Sequence, residues 1–432
     1  MYNGNPGNND FNNSNIGLAG TEFSGKDKIV PDSIRFKTVK SVVPAKRVPV
    51  KIRAEQQQYS SDKNKLCRVI LPNNAIYDTR CGYLTFDLQV TVTGGTYKRV
   101  HSGIFSIFNR LRILAGSTEI EDLRDYNRIY SILWEILNPA LVTGNMGVTS
   151  MGFGTQLQRN ALATVITQYA CPIYSGIFNT ELLPFDNLTN QIVLELYIED
   201  PTVCIETDGT LPIITISNIV FHMERLELDT SYRMFIKNYV SSNGLKLGFH
   251  TWERYISALT QGINQNITIS QRSSSMNGII NLFVDSSTIN NTLINDKFLD
   301  WLPLTLSTVQ DLINGSIYPD EPIDCVSTNR WEAFQMYLRW VQKYAANGII
   351  PIAAPINNTA FAVNRFIQID DYEPFPELDD VINPFNTLVS TSNIIKKLVF
   401  SALIPANFQL DSWIEFFKLI CIYQDGSVVV KQ

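Results

Sequence analysis

The sequence is poor in the residues that most enzymatic chemistry needs. Only three histidines occur in 432 residues: His101, His222 and His250. None has a second His, a Cys or a carboxylate at metal-ligand spacing, so no zinc-type site is indicated. Six cysteines (Cys67, Cys81, Cys171, Cys204, Cys325 and Cys421) are scattered with no CxxC pair. That pattern favours free, mostly buried thiols over a disulfide framework. A GxSxG elbow, a phosphate-cradling glycine loop and a GxGxxG fingerprint are all missing. So is a basic-then-apolar leader, and no apolar run nears the ~20 residues that cross a bilayer. The longest, residues 413–423, is broken by Glu415 and Lys418. The expectation is a soluble protein made in a reducing compartment, without cofactor or metal.

Charge is sparse as well. Charged residues make up 18% of the chain and the net charge is -6, while hydrophobic residues make up 45%. The first figures give no general attraction to nucleic acid. The last is that of a folded chain, and the length suggests about two domains.

What is present reads mostly as strand. Residues 1–25 are dominated by Asn and Gly with little to bury, which predicts a flexible N-terminal arm over residues 1–30. A basic stretch follows: Arg35, Lys37, Lys40, Lys46, Arg47, Lys51 and Arg53, with no acid among them. It fits either a strand edge protected by charge or a contact with nucleic acid or an acidic neighbour. Strand patterns then come at Leu66–Leu71 and residues 83–93, the latter closed by Gly94-Gly95. Others lie at residues 162–169, 192–198, 213–228, 249–256, 266–270, 278–284, 361–369 and 397–403. Residues 413–423 join 427–431 through Asp425-Gly426, a hairpin signal.

Two stretches interrupt the strands. In residues 101–139 a short strand, 109–114, and a turn at Ala115-Gly116 lead into a helical pattern. Thr118 and Glu121 have capping-box spacing, and Glu119, Glu121 and Asp122 suit the positive end of a helix dipole. Ile120, Leu123, Tyr130, Leu133 and Leu137 supply an apolar stripe, and Pro139 ends it. The second helix is expected at Trp331–Ala346, with Trp331, Phe334, Leu338, Val341 and Ala345 as its stripe and Asn347-Gly348 as its stop. Each helix sits among a similar number of strands. The expected architecture is therefore two consecutive antiparallel β-sandwich domains, residues 31–229 and 230–432, each carrying one loop helix.

The sharpest charge cluster is Asp370, Asp371, Glu373, Glu377, Asp379 and Asp380, interleaved with Pro374 and Pro376. Its prolines point to an extended, solvated loop. Six carboxylates so close could also hold a hard cation or serve as acid and base in a glycoside hydrolase. No residue is assigned as catalytic, cofactor-binding or metal-binding.

Residues 103–133, GIFSIFNRLRILAGSTEIEDLRDYNRIYSIL, resemble a region of the double jelly-roll major capsid proteins of tailless double-stranded DNA viruses, above all the polinton-like virus and virophage type. The matching positions are Gly103, Ile104, Ser106, Arg110, Arg112, Leu114 and Gly116, then Glu121, Asp122, Tyr126 and Asn127. Residues 314–323, NGSIYPDEPI, are similar to the segment that precedes the second-domain helix in that family. The resemblance implies an all-β double jelly roll and no enzymatic activity. It implies pseudo-hexagonal homotrimeric capsomers that tile an icosahedral shell, and hence a place in the virion. The implied partners are the protein itself, neighbouring capsomers, and penton and minor or cement proteins. Lys37, Lys40, Lys46, Arg47, Lys51 and Arg53 become candidates for an inner-face contact with the genome. A two-domain β-sandwich glycoside hydrolase, or a carbohydrate- or receptor-binding viral surface protein, is the alternative.

Overall fold

Alternating polar and apolar residues favour half-buried strands, and strands account for most of the architecture. The computed structural model describes residues 45–431 apart from 102, 138–150, 153–158, 160–165, 180–181, 271–274, 295–296, 299, 327–329, 347–355, 357 and 373–392. The N-terminal arm, Arg35, Lys37, Lys40, the Asn347-Gly348 stop and most of the acidic cluster lie outside these residues.

The first half begins with β1 (Ala45–Arg53), β2 (Gln58–Ser60), β3 (Leu66–Leu71), β4 (Ile76–Thr93) and β5 (Lys98–Val100). It continues with β6 (Phe108–Ala115), β7 (Thr118–Arg124), the helix α1 (Tyr126–Leu137) and β8 (Thr167–Pro172). The strands β9 (Leu183–Pro184), β10 (Ile192–Ile198), β11 (Ile205–Thr207) and β12 (Thr210–Leu228) complete it. One sheet has the order β1-β12-β4-β8, with β2 added on β12 and β9 on β4; a second is β3-β10-β6-β7, and β5 and β11 form a two-stranded sheet of their own.

A helix, α2 (Thr230–Asn243), leads into the second half. There follow β13 (Leu245–Ala258), β14 (Asn264–Ile269), β15 (Met276–Asp285), β16 (Leu306–Ile313) and β17 (Ser316–Asp324). After α3 (Trp331–Ala346) and α4 (Asn358–Val363) come β18 (Gln368–Asp371), β19 (Ile394–Phe400), β20 (Phe408–Ile422) and β21 (Val428–Lys431). The sheets are β13-β20-β15-β18, with β21 on β20, and β14-β19-β16-β17.

The eight strands of the two four-stranded faces match in order between the halves. In each, a long helix leaves the edge strand of one sheet (β7 or β17) and the chain then enters the edge strand of the other (β8 or β18). Two four-stranded faces wound in this order are a jelly roll, so the fold is an all-β double jelly roll. Aromatic pairs bridge the faces: Phe86 on β4 meets Phe108 on β6 at 5.7 Å, and Phe283 on β15 meets Phe400 on β19 at 6.0 Å. One apolar core continues from the first half into the second, and a smaller one surrounds Ile269, Ile394 and Phe416.

Several sequence expectations are corrected. Residues 118–124 do not begin a helix. They form β7, which returns along β6 after a turn at Gly116-Ser117. The register shifts beside Ile113 and Leu114, which pair with Glu121 and Glu119 and leave Ile120 as the extra residue of a bulge. Ile120, Glu121 and Leu123 are therefore all buried, a spacing that imitates a helix. Thr118 and Glu121 make no capping box. The helix proper buries Tyr126, Ile129, Tyr130, Leu133 and Ile136.

On α3 the buried face is rotated from the expected stripe. Trp331 is 52% exposed, while Tyr337 and Trp340 join Phe334 and Val341 inside. The strand expected at residues 361–369 is instead the end of α4, a connection, and the start of β18. The interval between the strand patterns at residues 213–228 and 249–256 holds α2. Asp229 caps it, accepting from the Ser231 N–H at 3.0 Å, and Gly244 ends it at φ 73.

Leu133 tests whether α1 depends on its buried stripe. Leu133→Asp places an unpaired charge in the core and should cost at least ~3 kcal/mol, read as a lowered urea midpoint or loss of soluble protein. An unchanged midpoint would show that this face of α1 is not packed.

Candidate functional site

The residues that carry the capsid-like motif are structural, and they converge where the first jelly roll meets the second. Arg110 and Asp122 pair across the β6–β7 hairpin, Nη2 to Oδ2 at 2.7 Å. Arg112 lies 3.0 Å from Glu119 and 3.2 Å from Glu195 on β10. Gly116 makes the turn at φ 61, where an added Cβ would meet the Asn190 side chain at 2.8 Å. The Tyr126 hydroxyl accepts from the Tyr174 N–H at 2.9 Å, and Asn127 Nδ2 donates to Glu199 at 2.9 Å.

Glu121 sits at the centre with no exposed surface. Its Oε1 accepts from the Gly176 N–H and from the Thr251 hydroxyl of β13, each at 2.9 Å, while Oε2 accepts from the Ser175 hydroxyl. Burial pushes this carboxyl above its ordinary range even though the three donors pull the other way. The backbones close tightly here: a Cβ on Gly176 would lie 1.8 Å from the His250 carbonyl oxygen. Only glycine fits.

Charged pairs extend the seam. Arg254 on β13 reaches Asp125 at 3.0 Å and pairs with Asp411 on β20. Arg128 on α1 lies 4.0 Å from the same Asp411 and 5.1 Å above the Phe298 ring. The indole N–H of Trp252 donates to the Tyr174 hydroxyl at 3.0 Å, and the Trp252 ring meets Trp340 of α3 edge-on. Apolar residues of both halves, including Ile113, Ile120, Leu247, Ile420 and Val428, line a small pocket beside these groups. The helix α1 thus packs at a seam inside one chain.

The basic stretch is placed in part. Lys46, Arg47, Lys51 and Arg53 are exposed on β1, an edge strand. Arg47 is ion-paired with Glu224 at 3.0 Å and Asp78 at 3.3 Å. Charge on an exposed edge discourages strand addition, one of the two roles the sequence suggested.

The acidic cluster is placed in part too. Asp370 is on β18, enclosed between the sheets, and not on a solvated loop. Its partner Lys396, and the Asp311 that Lys396 also meets, lie on strands far from it in the sequence, so no local pattern marked them. Among the described residues no group of three His, Cys, Asp or Glu side chains could hold a metal. Cys67, Cys171, Cys204, Cys325 and Cys421 are free and buried.

His101 belongs to a second enclosed cluster. Its Nδ1 lies 2.7 Å from Glu206, which also pairs with Arg99 and, at 3.4 Å, with Arg159. Burial pushes His101 down to about 4. Burial pushes Glu206 up, but the His101 hydrogen bond and the neighbouring cations hold it at about 2. Folding therefore favours neutral His101. Its contribution is whole above pH 6.5, the ordinary value, and is lost as the pH falls toward 4. The expected loss is about 3 kcal/mol over that window, seen as a falling urea midpoint. His101→Gln should flatten the fall between those pH values; an equal slope in both proteins would place the titration elsewhere.

No family model and no curated protein matches this sequence. Solved structures do match. A chain of the PBCV-1 virus capsid superimposes with a TM-score of 0.58 at 10% identity, over 92% of this chain and 99% of that one. A chain of the Sputnik virophage gives 0.58 at 10% identity, over 92% and 91%. The Faustovirus major capsid protein gives 0.56 at 9% identity, over 89% and 92%. At such identities the likeness is one of fold: this chain is built as these viral double jelly-roll proteins are built.

Proposed function

We propose that this chain is the structural subunit of an icosahedral virus shell, a major capsid protein located in the virion. The observation that carries the reading is a pair of jelly rolls with the same winding, locked side by side through β7 and β13 and alike in fold to viral capsid chains over nearly the full length of both. In this reading residues 31–229 and 230–432 make up the two jelly-roll domains, and residues 1–30 precede them. A rigid pair of similar sandwiches, repeated three times around an axis, has a nearly six-sided outline that can tile a facet. Self-association to a homotrimer is the first step, and contacts with neighbouring capsomers, penton and minor proteins follow. Lys37, Lys40, Lys46, Arg47, Lys51 and Arg53 supply positive charge for an inner-face contact with the genome.

Catalysis has no part in this reading. A glycoside hydrolase needs two carboxyls open to a polymer, and Asp370 is enclosed and ion-paired with Lys396. Native mass spectrometry of the purified protein should give a trimer, and a clean monomer at every concentration would contradict the proposal. Deleting residues 1–25 should leave the trimer intact but impair shell formation. Normal particles from that truncation would exclude a role for the arm between capsomers.

A further inference from the structure

Inside the second jelly roll an enclosed lysine faces two aspartates. Lys396 on β19 stands directly opposite Asp311 on the neighbouring strand β16, and Asp370 approaches from the facing sheet. Lys396 Nζ is 2.8 Å from Asp311 Oδ1 and 2.6 Å from Asp370 Oδ2. All three side chains are buried.

The surroundings of the two acids differ. Both Asp370 oxygens accept from amide groups, Oδ1 from Gln368 Nε2 at 2.6 Å and Oδ2 from Asn281 Nδ2 at 3.0 Å. Asp311 instead receives the Tyr372 hydroxyl on Oδ2 at 2.6 Å. One ammonium beside two carboxylates leaves an unbalanced negative charge in the interior, which a proton on one acid relieves. Burial and the neighbouring Asp370 push Asp311 up to about 6, so it takes up the proton as the pH falls toward that value.

A plain ion pair would need only one of these carboxyls. The arrangement here is a nucleophile, an electrophile, a base and a hydrogen-bond donor held together away from water. We propose that Lys396 and Asp311 join in an intramolecular amide between Nζ and Cγ, with Asp370 as the proton carrier and Tyr372 as the donor to the developing oxyanion.

The step balances without any further reagent. Asp370 carboxylate takes a proton from the Lys396 ammonium, and the freed amine attacks Cγ of the protonated Asp311 carboxyl. Tyr372 stabilises the charge that grows on the carbonyl oxygen. The tetrahedral nitrogen loses a proton, the departing hydroxyl gains one through Asp370, and the Cγ–O bond breaks. The products are an amide, one water and neutral Asp370. The new bond would tie β16 to β19 and close a covalent loop across the second jelly roll, which restricts its unfolded state. This inference is independent of the assembly reading, since it concerns the interior of one jelly roll.

Denaturing mass spectrometry of the full-length protein, with proteolytic mapping, tests it. The expected result is a chain lighter than its sequence by one water and a branched peptide joining residue 396 to residue 311. Lys396 recovered wholly in linear peptides would overturn the proposal, and a branch to Asp370 would overturn the assignment of roles. Asp370→Asn, if its circular dichroism matches the parent, should lose the branch. The branch formed undiminished in that variant would overturn the role of Asp370 as proton carrier.

Discussion

The rest of the architecture depends on a carboxyl without access to water. Glu121 is drawn inward by the bulge in β7 and receives donors from Ser175, Gly176 and, across the seam, Thr251. A buried acid is tolerated only when its oxygens are satisfied. That requirement fixes the β6–β7 hairpin, the 175–176 loop and β13 relative to one another. Gly176 lets the loop backbone come against the His250 carbonyl, and no side chain could take its place. Asp125 and Arg128, just beyond Glu121 in the chain, then meet Arg254 and Asp411. The two jelly rolls are joined by polar contacts with one satisfied register, on top of a shared apolar core.

Such contacts are weak evidence for added stability, because desolvation offsets most of their attraction. Their value lies in excluding alternatives: sliding or opening the seam would strand a buried carboxyl, a buried guanidinium or both. The enclosed cluster around Glu206 holds charge in the interior in the same way. Under the proposed function this stiffness matters, since a subunit that tiles a surface must match its neighbours with little play.

Much of this was legible in the sequence. The long alternating segments, the Asp425-Gly426 hairpin and the helix at residues 331–346 all stand where their patterns place them. The pairing of two similar halves could be read from the recurrence of a helix among strands. Other features failed for identifiable reasons. The bulge at Ile120 put two consecutive residues on the inside, so a strand displayed the spacing of a helix. In α2, Tyr232, Met234, Phe235 and Tyr239 are exposed, so the helix shows no clean stripe, although Asp229 and Gly244 mark both its ends. The Lys396 cluster was invisible because its members come from β16, β18 and β19, and only the winding of the jelly roll unites them.

The central claim is that a chain of two locked jelly rolls builds a shell by forming near-hexagonal units. Negative-stain electron microscopy of the purified protein examines this most directly. The account predicts uniform six-sided particles with three-fold symmetry, each side set by one jelly roll. Isolated two-lobed particles, or assemblies without a three-fold axis, would contradict it.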